Sequence, residues 1–377
     1  MRVAIDLTAL LPRASGVDNY LIRLVTHLGR IDRDNHYTIF LNYEDRRRFD
    51  GLLPENFVVA PASLRPRPVR LLFQQVGLPV AARGLGVHVV HSPSFLMPLY
   101  RGRQRHVLTV YDVTFFTNPG LHIPLRRSRL FRHALLRSIR SADRVTVPSR
   151  FTRRGILDLI PEMPPERIKV IPAGVGEEFR PRPAADVATA IKRLGLPIPY
   201  ILYVGTIEPR KNLRFLVEGY RRLISEREIA EHLVLAGRLG WDYDGLLTDI
   251  AAPALRDRVH LIGYIAQDDL PWLYAGARLF VYPSLQEGFG FPPLEAMACG
   301  VPTISSRTSS LAENLQGAAE LVDPEDGPEL TAALARLLTD ESRRAWLREQ
   351  GFARVRQFRW EHTAGQTLAC YQELASG

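Results

Sequence analysis

Cysteine is nearly absent: Cys299 and Cys370 are the only two in 377 residues, with no CxxC and no histidine-rich partner segment. A disulfide framework and a structural zinc site are thereby excluded as expectations, and a reducing compartment fits. Lysine is scarcer still for its class, with Lys169, Lys192 and Lys211 the only lysines among 49 basic residues. Codon bias alone accounts for an arginine preference, so it carries little functional weight. No long apolar run exists: the longest uncharged stretch, 84–100, is broken by prolines and histidines, which rules it out as a membrane span. The opening MRVAIDLTALLP lacks a basic segment followed by a long apolar core, so no secretory leader is expected. GxGxxG, solenoid repeats and low-complexity tracts are also missing.

What is present is an ordinary globular composition, 46% hydrophobic and 24% charged, long enough for two domains. Its charge is unevenly spread. Residues 1–180 carry 28 basic and 15 acidic side chains, and 181–377 carry 21 and 25. The first half is therefore expected to face something anionic.

Short apolar strands alternate with amphipathic helices. Strands are predicted at Val3–Leu7, Tyr37–Leu41, Val87–His91, Val107–Tyr111, Arg144–Val147 and Ile168–Ile171, then at Tyr200–Val204, His232–Ala236, Val259–Ile262, Leu279–Tyr282, Pro302–Ser305 and Glu320–Val322. Such alternation predicts two tandem doubly wound Rossmann-like α/β domains facing a cleft. The expected division is 1–175, a proline-rich linker at 176–199, a second domain at 200–358, and a terminal helix at 359–377 that returns to the first domain.

Two constellations carry chemistry. The first is Glu287-Gly-Phe-Gly-Phe-Pro-Pro-Leu-Glu295, directly after a predicted strand. Gly288 and Gly290 let backbone amides approach a ligand closely, and a proline can open the helix that bears Glu295. Taken singly, Glu287 reads better as a solvated loop residue and Glu295 as a complement to the helix dipole, and it is their joint arrangement with the glycines and prolines that points to function. The second is Tyr203-Val-Gly-Thr-Ile-Glu-Pro-Arg210-Lys211-Asn-Leu213. Arg210 and Lys211 stand at a helix start, where cations are unfavourable by about 0.3–1 kcal/mol each unless an anion is near. A diphosphate is the anion that reading predicts. Asp242-Tyr-Asp244 has the spacing of a divalent-metal aspartate pair, but helix capping explains it, and no metal is expected. The histidines at 88, 91, 106, 122 and 133 share no ligand spacing.

These motifs, with IDLTALLPRASGVDNY, VHSPSF, TVYDVTFF, SADRVTVPSRFTRRGI, VIPAGV, EAMACGVPTI, LVDPED and FRWEHTA, resemble the family 4 retaining glycosyltransferases of GT-B architecture. The likeness runs through the whole chain and looks most like bacterial mannosyltransferases of polysaccharide assembly. It implies a hexosyltransferase with a nucleotide-sugar donor, GDP-mannose being the expected one, and no required cofactor or metal. Arg210 and Lys211 would hold the diphosphate, Glu295 the ribose, and Glu287 with the amides of Gly288, Phe289, Gly290 and Phe291 the transferred sugar. Gly263, Tyr264 and Ile265 would meet the base, and Gly16 would lie near the phosphates. Glu287 and Asp112 are the expected catalytic participants. Many relatives carry His-Asp where this chain has Tyr111-Asp112, so Tyr111 would take the donor-sugar contact without the capacity to become a cation.

A UDP-sugar donor, or a phosphorylase or epimerase on the same fold, are the alternatives. A nucleic-acid binder would explain the basic half but leaves the paired glutamates unexplained, and no recognition motif is present. The expected acceptor is a glycan or a polyprenyl-diphosphate-linked sugar. The arginines Arg126, Arg127, Arg129, Arg132, Arg137 and Arg140 suggest a cytoplasmic enzyme resting on the inner face of the cell membrane.

Overall fold

Among the described residues thirteen strands, spaced by helical stretches, settle into two sheets in which every pairing is parallel. The computed structural model describes residues 1–12, 16–121 and 128–376. In chain order the strands are β1 (Arg2–Asp6), β2 (His36–Asn42), β3 (Phe57–Ala62), β4 (Val89–Ser92), β5 (Arg105–Thr109), β6 (Arg144–Val147) and β7 (Ile168–Val170). The second set is β8 (Tyr200–Val204), β9 (His232–Ala236), β10 (Val259–Gly263), β11 (Leu279–Tyr282), β12 (Thr303–Ser306) and β13 (Glu320–Val322). The first sheet runs β3-β2-β1-β4-β5-β6-β7 and the second β10-β9-β8-β11-β12-β13. Parallel strands need helical crossovers and so lie buried on both faces, which is why their sequences read as continuous apolar runs. In each sheet the strand order reverses once, between β1 and β4 and between β8 and β11.

The described residues fall into two compact units. One holds Met1–Thr117, 128–174 and 358–376, and the other is essentially Val175–Gln357. Residues 176–199 are not a free linker. Helix Ala184–Arg193 buries Ile191 completely and packs on helix Leu270–Ala275, and the Arg182 guanidinium lies 4.0 Å from the Trp272 ring centroid. The prolines shape the entry to a packed helix rather than a spacer. β3 was absent from the strand expectations for a physical reason. It is the sheet's edge, Val58 is exposed, and Pro61 is tolerated there because an edge strand needs fewer ladder donors.

Helix Trp360–Ser376 packs on helix Gly16–Ile31 within the first unit. Gly174 makes this possible, since a Cβ there would stand 2.3 Å from the Trp360 amide nitrogen. Thr363 Oγ1 donates to the Pro172 carbonyl at 2.7 Å. Deeper in, the Tyr371 hydroxyl and His91 Nδ1 hydrogen-bond at 2.6 Å, and His91 Nε2 meets Thr109 Oγ1 at 2.8 Å. Burial pushes the His91 imidazole down to about 3, so it is a neutral structural group. No helix among the described residues is long and apolar enough to cross a membrane.

Tyr371→Phe should therefore destabilise the first unit by about 1–3 kcal/mol, because it strands a buried imidazole nitrogen. The check is chemical denaturation followed by tryptophan fluorescence. An unchanged midpoint would show that the terminal helix does not need this bond.

Candidate functional site

In an open parallel sheet, ligands bind outside the carboxyl ends of the strands where the order reverses. In the second unit that point lies between β8 and β11. The chain leaves β8 through Gly205, makes a single tight turn at Pro209–Lys211, and passes Asn212 in left-handed conformation (φ +57°) before helix Leu213–Glu226. It leaves β11 through 283–290 and enters helix Phe291–Ala298 at Gly290, whose φ is +89° and whose Cβ would stand 2.5 Å from Leu311 Cδ2. Only glycine fits there. Leu285 N donates to Arg210 O at 2.9 Å, which locks the two loops together.

On these loops sits a buried ionic cluster. Lys211 Nζ donates to Glu287 Oε1 at 2.6 Å and to the Tyr282 hydroxyl oxygen at 2.7 Å. Arg210 Nη1 is 2.7 Å from Glu287 Oε2 and 2.8 Å from the Gln286 carbonyl, and Nη2 is 2.8 Å from Glu208 Oε1. The Tyr282 hydroxyl closes the triangle by donating to Glu287 Oε1 at 3.1 Å. The backbone of Glu287 is held as firmly as its side chain: its N–H donates to Ser309 Oγ at 2.9 Å and its carbonyl accepts from Ser310 Oγ at 2.8 Å.

This corrects the reasoning behind the diphosphate expectation. Arg210 and Lys211 do not stand uncompensated at a helix start, because Glu287 and Glu208 supply the countercharge from within the fold. Two cations against two carboxylates leave the cluster neutral, so an arriving anion exchanges partners rather than filling a vacancy. Burial by itself would raise the Glu287 carboxyl, but Arg210 and then Lys211 outweigh it and hold it down at about 2. Lys211 is pulled below the usual lysine range, by burial first and then by Arg210. Burial and the Glu287 charge keep Tyr282 a protonated hydroxyl.

The other expected donor-side residues follow the strand ends. Glu295 is half-buried on helix Phe291–Ala298, and its Oε2 accepts from the Tyr274 hydroxyl at 2.9 Å. Asn314 Nδ2 donates to the Phe289 carbonyl at 2.7 Å, and Gly288 and Phe289 are buried while Phe291 is half-buried. Gly263 ends β10 with φ +72°, and its carbonyl accepts from Gly237 N at 2.8 Å. Tyr264 is exposed, with the Arg238 guanidinium 4.9 Å from its ring centroid, and Ile265 beside it is half-buried.

Sequence reasoning missed Tyr282, Glu208, Ser309, Ser310 and two glycines. Gly205 and Gly237 directly follow β8 and β9, and a Cβ on Gly237 would stand 1.8 Å from the Gly205 carbonyl oxygen. A glycine at the end of each of three adjacent strands was the available signal.

The first-unit residues lie on its own sheet ends. Gly16 opens helix Gly16–Ile31 after β1. Asp112 Oδ1 accepts from the Thr114 amide and hydroxyl, both at 3.0 Å, and so caps helix Thr114–Thr117. Tyr111 donates its hydroxyl hydrogen to the Pro93 carbonyl at 2.7 Å, and its ring packs edge-on to Tyr20 and Phe95. That hydrogen is already engaged, so the contact to a donor sugar expected of Tyr111 is not made by donating it.

Of the arginine patch, Arg126 and Arg127 lie outside the described residues. Arg129 and Arg137 are exposed on helix Ser128–Ser141, Arg132 lies 4.7 Å from the Phe116 ring centroid, and Arg140 pairs with Glu162 at 2.9 Å. Acids distant in sequence thus cancel part of the local excess. Asp242 has φ +50°, and Asp244 opens helix Asp244–Ile250 without a side-chain capping bond, so capping does not account for the pair.

Residues 14–179 match Glycosyltransferase Family 4, and residues 198–340 match the family described as Glycosyl transferases group 1. An O-antigen chain mannosyltransferase B of Escherichia coli is 36% identical over 295 residues, covering 78% of this chain and 76% of that protein. With these two matches and a relative 36% identical over 78% of this chain, the chain belongs to the family 4 glycosyltransferases. A serotype-specific mannosyltransferase WbdA of Escherichia coli is 30% identical over 75% of this chain, which spans 36% of that longer protein. In fold, sucrose-phosphate synthase from Thermosynechococcus elongatus superposes with a TM-score of 0.79 at 22% identity, covering 100% of this chain and 99% of that one. The fold is accordingly GT-B, and the protein is a glycosyltransferase.

The cluster's pH behaviour follows from its geometry. A carboxyl lowered from 4.5 to about 2 contributes stability that is present above pH 4.5 and lost as pH falls through about 2. Glu287→Gln should destabilise the protein by about 3 kcal/mol at neutral pH, since it leaves two buried cations short of a partner. The difference from wild type should narrow below pH 4.5, as thermal melts across pH 2–7 would register. A constant difference over that range would show that Glu287 is not the ionised centre of the cluster.

Proposed function

We propose that this enzyme transfers a mannosyl group from GDP-mannose to a glycan or polyprenyl-diphosphate-linked acceptor, with retention of configuration and without a metal, at the surface of an anionic membrane. The observation that carries the reading is the Arg210–Lys211–Glu287 cluster at the strand-order reversal of the second sheet. The mannosyltransferase names of its bacterial relatives support the sugar.

As the bond between the anomeric carbon and the β-phosphate oxygen breaks, its electron pair goes to that oxygen and charge accumulates on the phosphate. Cations already fixed in a dry site stabilise this charge without reorganisation. Arg210 offers a planar fork suited to phosphate, and Lys211 offers a point charge held in place by Tyr282. Both are released from their carboxylates only in part, so Glu287 remains near them to meet hydroxyls of the sugar and the cationic anomeric carbon. The acceptor oxygen forms the new bond and gives up its proton to the departing phosphate, whose oxygen received the electron pair of the broken bond. Retention places that attack on the face the phosphate leaves, or divides it into two inversions. In this reading Glu295 on the following helix accepts from ribose hydroxyls. The buried cations do the work that a divalent ion does in metal-dependent transferases.

Lys211→Gln should lower turnover about 10²–10³-fold, with a smaller effect on donor KM, because the lost charge matters most in the transition state. The assay is GDP release with acceptor present, on protein whose circular dichroism matches wild type. Near wild-type transfer would reject the diphosphate assignment. Phosphate-dependent sugar release, acceptor-free epimerisation, or preference for a UDP-sugar would favour the alternatives on the same fold.

Transfer should also survive exhaustive chelation. Complete loss in EDTA, restored by manganese or magnesium, would overturn the metal-free reading and return Asp242 and Asp244 to consideration.

A further inference from the structure

Residues 67–84 form a continuous helical segment: Arg67–Leu72, a wider π turn at Phe73–Gly77, and Leu78–Gly84. One side is core. Leu78 and Ala82 are fully buried against Ala4, Phe40, Val87 and Val90 of the first unit. The opposite side is also apolar, yet it is bare. Leu72, Val76 and Val80 are 65%, 55% and 68% exposed, and Val69 continues the stripe one turn earlier. Their spacing of three and four residues keeps them on one face. A contiguous bare apolar stripe of this kind marks an interaction surface.

A neighbouring loop extends this face. Gln75 accepts from Leu99 N at 2.9 Å and donates to the Met97 carbonyl at 3.2 Å. That anchors a loop on which Leu99 is exposed and Tyr100 is 75% exposed. Tyrosine is a residue of membrane–water interfaces, where an apolar ring and a polar tip are both satisfied.

Charge identifies the occupant. Between Glu55 and Asp112 the sequence contains no acidic residue at all, while arginines stand at 65, 67, 70, 83, 101, 103 and 105. Arg65 is matched by Asp45, and Arg101 and Arg105 by Asp143. Arg83 and Arg103 are exposed and make no ion pair among the described residues. Exposed aliphatics flanked by arginine, in a stretch without carboxylates, match a surface that is apolar below and anionic above. A second copy of this chain would bring the same positive charge to the same stripe and be repelled.

We infer that the exposed face of residues 69–80, with Leu99 and Tyr100, is the surface by which the first unit inserts shallowly into an anionic lipid bilayer. This rests on the proposed lipid-linked acceptor and deepens it. It also moves the attachment surface away from helix Ser128–Ser141. There Arg132 lies against the Phe116 ring and Arg140 pairs with Glu162.

The test is co-sedimentation of the full chain with phosphatidylglycerol-containing and pure phosphatidylcholine vesicles, at low and high salt. Wild type should bind the anionic vesicles and hardly the neutral ones. Leu72→Ser with Val76→Ser and Val80→Ser should weaken binding about tenfold, through lost apolar insertion. Arg83→Gln with Arg103→Gln should weaken it several-fold and flatten its salt dependence. Arg129→Gln with Arg137→Gln should change little. Because the stripe is exposed, melting temperatures should stay close to wild type.

Unchanged binding in the stripe variant would overturn the inference, as would equal binding of wild type to both vesicle types. A wild-type dimer in size-exclusion chromatography that the stripe variant abolishes would replace it with self-association. Absence of wild-type binding would overturn both this surface and membrane working. Acceptor-free hydrolysis of GDP-mannose, measured alongside, separates these outcomes from the transferase reading: it should be equal in all variants, and only its absence from wild type would count against that reading.

Discussion

A carboxylate lying between an arginine and a lysine, away from water, organises the second unit. Glu287 contacts Arg210 at 2.7 Å and Lys211 at 2.6 Å, and through them it joins the loop after β8 to the loop after β11. Removing any one of the three would leave an uncompensated buried charge, which is costlier than the pair itself is stabilising. The hydroxyls of Tyr282, Ser309 and Ser310, the turn at Pro209–Lys211 and the glycine at 290 all serve to hold that one carboxylate in register. On the proposed function, stability and activity share the same atoms.

This has a chemical consequence. A site whose cations are neutralised from within does not repel them apart while empty, and it keeps their geometry fixed before a donor arrives. Under the proposed function, an incoming diphosphate takes over part of an existing hydrogen-bonding pattern instead of ordering free side chains. Preorganisation of this kind is what makes electrostatic stabilisation effective in the transition state. Under the proposed function, Glu287 turns from counterion to sugar ligand without moving from its loop.

The two units divide labour by charge as well as by sequence. The excess of arginine lies in the first unit, but much of it is engaged: Arg140 with Glu162, Arg144 with Glu373, Arg101 with Asp143. A run of arginines overstates the free field, because acids separated from it in sequence, Glu162, Asp143 and Glu373, fold against it. What remains unmatched is different in kind, an apolar helix face in a stretch that contains no carboxylate.

Sequence alone was enough for the alternation of strand and helix, the tandem arrangement, and the strand-loop-helix placement of Glu287, Glu295, Arg210 and Lys211. These are local properties: apolar runs mark strands buried on both faces, and glycine and proline mark where a strand must turn into a helix. It did not show β3, whose edge position frees it from the apolar pattern, nor that residues 176–199 pack as part of a unit. It could not say that Tyr111 spends its hydroxyl hydrogen on Pro93, or that Arg210 and Lys211 already have carboxylate partners. Glu287 is 76 residues from Lys211, and Tyr371 is 280 from His91. Only the folded sheet brings such groups within hydrogen-bond reach, and a buried charge takes its meaning from whatever the fold sets against it.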